Sequence, residues 1–258
     1  MIRTILTEPA VEPDHEIPPL LIVHGLFGSA RNWGVIAKRM ADTRRVLSVD
    51  MRNHGESPWR PTQSYPDMAA DLAEVIDANG GRADVMGHSM GGKAAMVLAL
   101  SRPELVRRMV VADIAPTSYS HSQERLVDAM KSLDLQKLES RGEADQQLAE
   151  HLAEPGVRAF LMQSLDLKSS PPRWRLNLDV LASEMDKIVG FPEVTGSFSG
   201  STLFLSGANS DYVKPDDRPQ IKSLFPKARF ARLPGAGHWL HADKPREFEA
   251  TLRTFLSA

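Results

Sequence analysis

The sequence predicts an α/β fold in which a mostly parallel central sheet is flanked by helices. Three observations lead to this prediction. Short apolar segments alternate with segments of helical length over the first 113 residues, which is the pattern of βαβ units. One turn between them, at residues 87–91, reads Gly-His-Ser-Met-Gly. The alternation stops after residue 117 and resumes near residue 201, so a segment of another kind interrupts the sheet.

Composition narrows the classes of function before any motif is considered. The chain has 258 residues, a formal net charge of −2 and no cysteine. This charge balance gives no reason to expect a nucleic-acid partner, and the lack of cysteine excludes disulfides, a thiol nucleophile and thiolate-bound metal. The N-terminus has neither the pattern of a signal peptide nor that of a transit peptide, and no apolar run approaches the ~18 residues of a membrane span. We therefore expect a cytoplasmic protein.

Apolar periodicity predicts the elements of the sheet in chain order. The first strands are predicted at Ile2–Leu6, Leu20–His24, Arg45–Asp50, Ala83–Met86 and Arg108–Asp113. The helices between them are predicted at Asn32–Met40, Tyr65–Asn79 and Lys93–Ser101. The last part of the chain is predicted to contain strands at Ser201–Ser206 and Ala228–Leu233, a helix near Asp216–Leu224 and a closing helix at Arg246–Leu256.

Residues 118–190 are predicted to form a helical cap inserted into a core made of residues 1–117 and 191–258. No convincing strand occurs between residues 122 and 188. The helical stretches there are Arg125–Leu133, Asp145–Leu152, Val157–Leu165 and Leu176–Met185. We expect this cap to follow the sixth strand of the sheet.

The Gly-His-Ser-Met-Gly segment predicts a sharp turn from strand to helix with Ser89 at its tip. Gly87 and Gly91 stand where a Cβ atom would collide with the turning backbone. Ser89 then lies at a helix N-terminus, where backbone N–H groups and the positive end of the helix dipole are gathered. The flanking strand and helix favour this nucleophile elbow over an ordinary glycine-rich turn. Ser89 is therefore predicted to be the nucleophile.

A serine nucleophile needs a general base, and the base needs an orienting acid. In this kind of fold the order along the chain is nucleophile, acid, histidine. His238 follows the last predicted strand in a glycine-rich loop and is predicted to be the base. The acid is less settled: Asp113, at the carboxyl end of the strand beside the nucleophile strand, is favoured. Asp211, in the later loop, is the alternative, and Ser210 beside it is predicted to be an auxiliary hydrogen-bonding group.

Negative charge that develops on a substrate carbonyl oxygen needs two N–H donors. The backbone of Met90, just after the nucleophile, and that of Leu26, in an early glycine-rich loop, are predicted to supply them. Four residues are predicted to contribute to the substrate pocket, although core packing explains the two tryptophans equally well: His24, Phe27, Trp174 and Trp239. A further polar cluster matches no metal-ligand spacing and is interpreted as a network that braces a loop: Asp50, Arg52 and His54.

Five segments in series resemble the α/β-hydrolase superfamily: His24-Gly25-Leu26-Phe27-Gly28, Asp50-Met51-Arg52-Asn53-His54-Gly55, Gly87-His88-Ser89-Met90-Gly91-Gly92-Lys93, Asp113-Ile114-Ala115-Pro116 and Gly237-His238-Trp239. More narrowly, they are similar to the small bacterial esterases of the YbfF type and to the eukaryotic abhydrolase-domain 11 proteins. The resemblance implies an esterase or thioesterase under a helical cap, with no cofactor. In that subgroup the acid follows the strand before the cap and a serine takes the usual acid position, which corresponds to Asp113 and Ser210.

The predicted function is hydrolysis of short- to medium-chain acyl esters through an acyl-enzyme on Ser89, with no metal or cofactor. The predicted partner is a small acyl ester or thioester. The same three residues would also serve carbon–carbon bond hydrolysis, cofactor-free perhydrolysis or a lyase reaction, and the fold does not separate these reactions. A non-catalytic small-molecule receptor is the alternative from another class. The oligomeric state is not readable from the sequence.

Overall fold

The computed structural model describes residues 1–9, 17–120 and 123–258. Residues 121 and 122, inside the predicted cap, and residues 10–16 lie outside the described part. In chain order, the strands are β1 (Thr4–Thr7), β2 (Leu20–Val23), β3 (Val46–Val49), β4 (Ala83–His88), β5 (Val106–Ala112), β6 (Leu165–Asp166), β7 (Arg173–Trp174), β8 (Ser201–Gly207) and β9 (Ala228–Leu233).

The helices lie on both sides of the sheet and between β5 and β8. They are α1 (Gly34–Met40), α2 (Tyr65–Asp77), α3 (Met90–Ser101), α4 (Glu124–Lys131), α5 (Arg141–Ala149), α6 (Pro155–Leu161), α7 (Leu178–Ser183), α8 (Met185–Val189), α9 (Arg218–Leu224), α10 (Leu240–Asp243) and α11 (Pro245–Ser257). Across the described ranges, no helix has the combined length and apolar character that crossing a bilayer requires.

Seven of the strands form one sheet in the order β1-β3-β2-β4-β5-β8-β9. β1 runs antiparallel to β3 at the edge, and every other neighbouring pair is parallel. Strands buried on both faces read as continuous apolar runs, which is why β2 and β4 were recognisable in the sequence. The predicted fold class, a mostly parallel sheet with flanking helices, is confirmed.

Each face of the sheet has its own hydrophobic core. Alternate side chains of a strand point to opposite faces, so Leu20 and Ile22 of β2 join the core beneath α1 and α11. Leu21 and Val23 join the core beneath α2 and α3, which continues under the helices of residues 124–189. The helix α3, which follows Ser89 and is called the nucleophile helix below, is therefore covered by the sheet on one side and by the predicted cap on another.

The observed element bounds differ from the predicted ones mainly at helix ends. The predicted helix Asn32–Met40 is divided between a 3₁₀ turn at Ala30–Trp33 and α1. α2 ends two residues before the predicted limit, and it begins after Ser64, whose hydroxyl accepts a hydrogen bond from the backbone N–H of Asp67 at 3.3 Å. Such caps satisfy the free N–H groups of a first turn.

The prediction that residues 122–188 hold no strand is wrong. β6 and β7 form a small antiparallel hairpin in which Leu165 pairs with Trp174 and Asp166 with Arg173. Each strand has two residues. Two residues are too few for an alternating apolar pattern, so only the tertiary structure reveals the pairing.

Among residues 1–9, 17–120 and 123–258, five strands precede the predicted cap. Residues 10–16, between β1 and β2, lie outside the described part, so the placement of the cap after a sixth strand stays a prediction. The division between core and cap at residues 118 and 190 stays a prediction.

A pair of alanine substitutions tests how closely α3 approaches the sheet. A Cβ atom on Gly91 would lie 2.5 Å from the carbonyl oxygen of Val23, whereas a Cβ atom on Gly34 would meet nothing within 4 Å. We expect Gly91→Ala to lower the free energy of unfolding by about 3 kcal/mol or more, and Gly34→Ala to raise it by up to about 1 kcal/mol. Urea unfolding measures both, and a Gly91→Ala variant as stable as wild type would contradict the observed packing.

Candidate active site

Ser89 occupies the turn between β4 and α3 in a backbone conformation that L-residues rarely adopt, with φ 54° and ψ −123°. The turn is tight because its two glycines have no side chains. A Cβ atom on Gly87 would lie 2.6 Å from the carbonyl carbon of Gly91. These close approaches explain the glycine spacing in the sequence. They leave the Ser89 side chain half-buried and facing a cavity.

The structure brings together the three side chains that the sequence singled out. The Oγ atom of Ser89 lies 3.1 Å from Nε2 of His238, and Nδ1 of His238 lies 2.8 Å from Oδ2 of Asp113. An ionised carboxylate only accepts, so Nδ1 carries the proton and donates to Asp113. Nε2 is then unprotonated and can accept the hydrogen of the Ser89 hydroxyl. The arrangement has the geometry of a nucleophile, a base and an orienting acid.

Asp113 is fully buried and held by three donors. Besides His238, the backbone N–H of Gly207 donates to Oδ1 at 3.0 Å and the hydroxyl of Ser210 donates to Oδ2 at 2.5 Å. Asp113 also has a positive φ of 53°, directly after β5. Asp211, the alternative acid, is exposed. The geometry therefore favours Asp113 over Asp211 and places Ser210 against the carboxylate.

The imidazole of His238 lies between two rings that the sequence did not indicate. Tyr212 stacks on one side, with ring centroids 4.1 Å apart and an angle of 22° between the planes. His88 lies on another side with its centroid at 4.7 Å, and its Nε2–H donates to the backbone carbonyl of His238 at 2.8 Å. These contacts hold the ring in place. Tyr212, two residues after Ser210, belongs to no motif, and His88 lies inside the Gly-His-Ser-Met-Gly segment at a position whose residue type the motif does not specify.

The neighbouring histidines stay uncharged. Burial lowers the pKa of His88 well below its ordinary value, and burial lowers the pKa of His241 and that of His24 to about 4. His241 stacks on Trp33 at 3.9 Å. Because these rings are neutral near pH 7, they do not oppose a positive charge on His238 during catalysis.

The two predicted oxyanion donors flank the nucleophile. Met90 is the first residue of α3, where backbone N–H groups have no partner within the helix. Leu26 belongs to a turn closed by a hydrogen bond from Gly28 N–H to the Gly25 carbonyl at 3.1 Å. A Cβ atom on Gly25 would lie 3.0 Å from the Cβ atom of Ser89, so this turn abuts the nucleophile. Across the described ranges, the N–H groups of Leu26 and Met90 donate no hydrogen bond.

A cavity of about 250 Å³ opens at Ser89. His24, Phe27 and Trp239 contribute to its lining. Trp174, the fourth residue predicted for the substrate pocket, is not among the residues that line this cavity. Its ring is buried within the 118–190 segment, and its Nε1–H donates to the carbonyl of Met130 at 2.9 Å. A buried indole needs an acceptor for its N–H, and Trp174 finds one at the end of α4 instead of at the cavity.

Lys93 is a cavity-lining residue that the sequence did not indicate. It is 1% exposed, and its Nζ donates to the carbonyls of Val189 at 2.9 Å and Gly190 at 2.6 Å. The rings of Tyr119 and Tyr65 lie 4.7 Å and 5.7 Å from Nζ. The lysine thus ties the nucleophile helix to the end of α8. Its place four residues after Ser89 was the only signal available.

Comparisons with known proteins identify the family and the fold. A family model described as the alpha/beta hydrolase fold matches residues 18–245. The chain is 44% identical over 257 residues to the mouse (Mus musculus) sn-1-specific diacylglycerol lipase ABHD11, covering 96% of this chain and 83% of that protein. It is 37% identical over 245 residues to the esterase YbfF of Escherichia coli strain K12, covering 94% of both. A solved marine microorganism esterase has 35% identity and a TM-score of 0.91, with coverage of 99% of this chain and 100% of that one.

The buried cation at Lys93 makes folding depend on pH. Burial lowers its pKa from 10.5 to about 7. Between these values the unfolded chain holds one more proton than the folded chain, so the stability of wild type falls as pH falls from 10.5 towards 7. Relative to Lys93→Met, the wild-type free energy of unfolding should rise with pH by up to about 1.4 kcal/mol per unit. Urea unfolding between about pH 7 and 9.5 measures the slope.

Lys168→Met, at an exposed lysine, is the control for loss of a surface charge. Its difference from wild type should stay constant over the same pH range. A constant difference for Lys93→Met as well would contradict the lowered pKa.

Proposed function

The chain belongs to the α/β-hydrolase family and is a serine hydrolase of the carboxylesterase kind, and from this premise we propose that it cleaves short- to medium-chain acyl esters through Ser89, His238 and Asp113. The observation that carries the proposal is the continuous hydrogen-bonded line from Ser89 Oγ through both nitrogens of His238 to Asp113. At its Ser89 end, the line opens into an apolar cavity of about 250 Å³, a size suited to a short acyl group.

In the proposed acylation step, the oxygen of Ser89 attacks the ester carbonyl carbon while Nε2 of His238 takes its proton. The carbonyl π electrons move onto oxygen, and the N–H groups of Leu26 and Met90 bind the resulting oxyanion. Asp113 stabilises the imidazolium through its bond to Nδ1. When the tetrahedral intermediate collapses, the bond to the leaving alkoxide or thiolate breaks and the His238 proton passes to it.

In the proposed deacylation step, water takes the place of the departed alcohol or thiol. His238 removes a proton from the water, whose oxygen attacks the acyl-Ser89 ester and again forms an oxyanion. Collapse releases the carboxylic acid and returns the proton to Ser89 Oγ. In each step one proton moves to or from Nε2 of His238, so the imidazole alternates between its neutral and its protonated form. Because the neighbouring histidines are neutral, they do not disfavour the protonated form.

The leaving group and acyl length belong to the proposal and are open to direct measurement. The names of the mouse and bacterial relatives support ester substrates, and the mouse name adds a glyceride to the panel worth testing. Thioester cleavage would need the same groups. Carbon–carbon hydrolysis, perhydrolysis, a lyase reaction and a receptor role are the competing outcomes. A cytoplasmic location stays a prediction.

A panel of p-nitrophenyl esters and acyl thioesters of increasing chain length, with a diacylglycerol, tests the proposed function. Wild type should turn over the shorter esters, and Ser89→Ala should reduce kcat by about 10³-fold or more. A fluorophosphonate should label wild type at Ser89 and leave Ser89→Ala unlabelled, as read by peptide mass spectrometry. A wild-type protein that neither turns over any panel member nor reacts with the probe would overturn the proposal.

Two matched asparagine substitutions test the proposed acid. Asp113→Asn keeps the shape of the side chain but removes the charge that favours the Nδ1–H form of His238, so kcat should fall by about 10³- to 10⁴-fold. Asp211→Asn, at the exposed neighbouring loop position, should keep kcat within about twofold of wild type. The measurement is kcat on the preferred ester, and the opposite ranking of the two variants would assign the acid to Asp211.

A further inference from the structure

Phe27, in the turn that carries Leu26, has a strained backbone. Its φ is 63°, and it is the third residue of the turn closed by Gly28 N–H and the Gly25 carbonyl. A turn with positive φ at this position usually takes glycine or asparagine there. For a bulky residue this conformation costs about 1–3 kcal/mol and persists only where surrounding contacts hold it. The groups that hold Phe27 therefore also hold the adjacent N–H of Leu26.

The first of these groups is His54. The backbone N–H of Phe27 donates to Nε2 of His54 at 3.2 Å, and Nδ1 of His54 contacts the carbonyl of Arg52 at 2.8 Å. A carbonyl only accepts and an N–H only donates, so His54 is neutral with its proton on Nδ1. Burial lowers its pKa to about 3. Its Nε2 thus stays an acceptor at any pH at which the enzyme would work.

The second group comes from the predicted cap. The hydroxyl of Ser164, the residue before β6, donates to the carbonyl of Phe27 at 2.8 Å. Ser164 is 5% exposed and Phe27 is 2% exposed, so water does not compete for this bond. Phe27 is therefore held at its N–H by one loop of the core and at its C=O by the segment inserted after β5.

These two contacts belong to one closed circuit. The carbonyl of Ser164 accepts from the N–H of Arg175 at 2.8 Å, and the carbonyl of Arg175 accepts from the N–H of Gly55, also at 2.8 Å. Gly55 follows His54, which accepts from Phe27 and so closes the circuit. Ser164 and Arg175 flank the β6–β7 hairpin. The hairpin therefore joins the turn at residues 25–28, called the oxyanion turn because it carries the Leu26 N–H, to the loop after β3.

We propose that His54 and Ser164 are positioning residues that set the Leu26 N–H of the candidate oxyanion hole, so that the β6–β7 hairpin governs the chemical step from outside the cavity. The inference rests on the proposed function. Across the described ranges, neither side chain lines the cavity. Their loss should therefore act on stabilisation of the oxyanion and leave substrate binding unchanged.

The energetic reason is the steep dependence of oxyanion stabilisation on geometry. Loss of one donor of this kind lowers kcat by about 10²- to 10³-fold, and a misplacement of about 1 Å can lower it by about 10²-fold. Without an acceptor at His54, the buried N–H of Phe27 is unsatisfied, which costs about 1–3 kcal/mol. We expect the Leu26–Phe27 peptide to rotate and relieve that cost. Because this peptide is joined through the Leu26 Cα to the Gly25–Leu26 peptide, the rotation should displace the Leu26 N–H that the latter carries.

The kinetic test compares three variants with a matched control. His54→Leu should lower kcat by about 10- to 100-fold with KM within about twofold. His54→Gln should recover part of the loss, because its side-chain carbonyl can accept from Phe27. Ser164→Ala, the milder change, should lower kcat by about three- to tenfold. In the control, Ser132→Ala, the lost hydroxyl bonded to the Ala129 carbonyl of its own helix end, and kcat should match wild type.

Two further readouts separate positioning from general destabilisation. Affinity for a trifluoromethyl ketone, which forms a tetrahedral oxyanion on the serine, should fall in proportion to kcat across the variants. Amide hydrogen exchange at Phe27 should be faster in His54→Leu than in wild type, and unchanged in Ser132→Ala. Exchange is independent of turnover, so it tests the positioning even if no ester is cleaved.

The outcomes are distinguishable. If wild type cleaves no ester but exchange at Phe27 responds as expected, the proposed function fails and the positioning stands. If wild type is active and His54→Leu and Ser164→Ala keep both kcat and ketone affinity, the inference is overturned. It is also overturned if Phe27 stays protected in His54→Leu, or if KM rises in place of the fall in kcat.

Discussion

The candidate site depends on how closely three backbone segments approach Ser89. The elbow itself is possible because Gly91 meets the end of β2 without a side chain, and Gly25 lets the oxyanion turn come within van der Waals distance of the serine. Gly207 makes the same kind of approach to the loop that carries His238. The contacts at Gly91 and Gly207 are with backbone atoms, so no side chain can move aside to relieve them. The same close packing places the candidate nucleophile, the candidate base and the candidate oxyanion donors.

The electrostatics of the site follow from burial. Three donors replace the water that burial takes from the Asp113 carboxylate, whereas burial lowers the pKa of His88 and that of His241 below the ordinary value. A positive charge on His238 therefore has a fixed counter-charge and no close cationic neighbour among these rings. Lys93 also lies at the cavity wall, where its Nζ donates to the backbone carbonyls of Val189 and Gly190 and lies 4.7 Å from the centre of the Tyr119 ring.

The segment between β5 and β8 contacts the core at two functionally different places. Its end, at Val189 and Gly190, is bound by Lys93 of the nucleophile helix. Its hairpin is bound, through Ser164, to the turn that carries the candidate oxyanion donor. A change in the placement of this segment would therefore alter both the cavity at Ser89 and the turn that carries the Leu26 N–H. Two members of the polar cluster interpreted from sequence as a brace take part in the second connection: His54 accepts from the Phe27 N–H, and the Arg52 carbonyl accepts from Nδ1 of His54.

The sequence by itself determined the fold class, because strand–helix alternation is local and strands buried on both faces are apolar throughout. It also identified Ser89, His238 and Asp113, since the elbow and the strand ends have recognisable neighbours; their catalytic roles stay predictions. The choice between Asp113 and Asp211 needed the tertiary structure, because the two residues follow different strands and only the folded chain shows which carboxylate contacts His238. The place of the Trp174 ring away from the cavity and the β6–β7 hairpin were likewise decided by contacts between distant segments. Such contacts leave no periodic pattern in the chain.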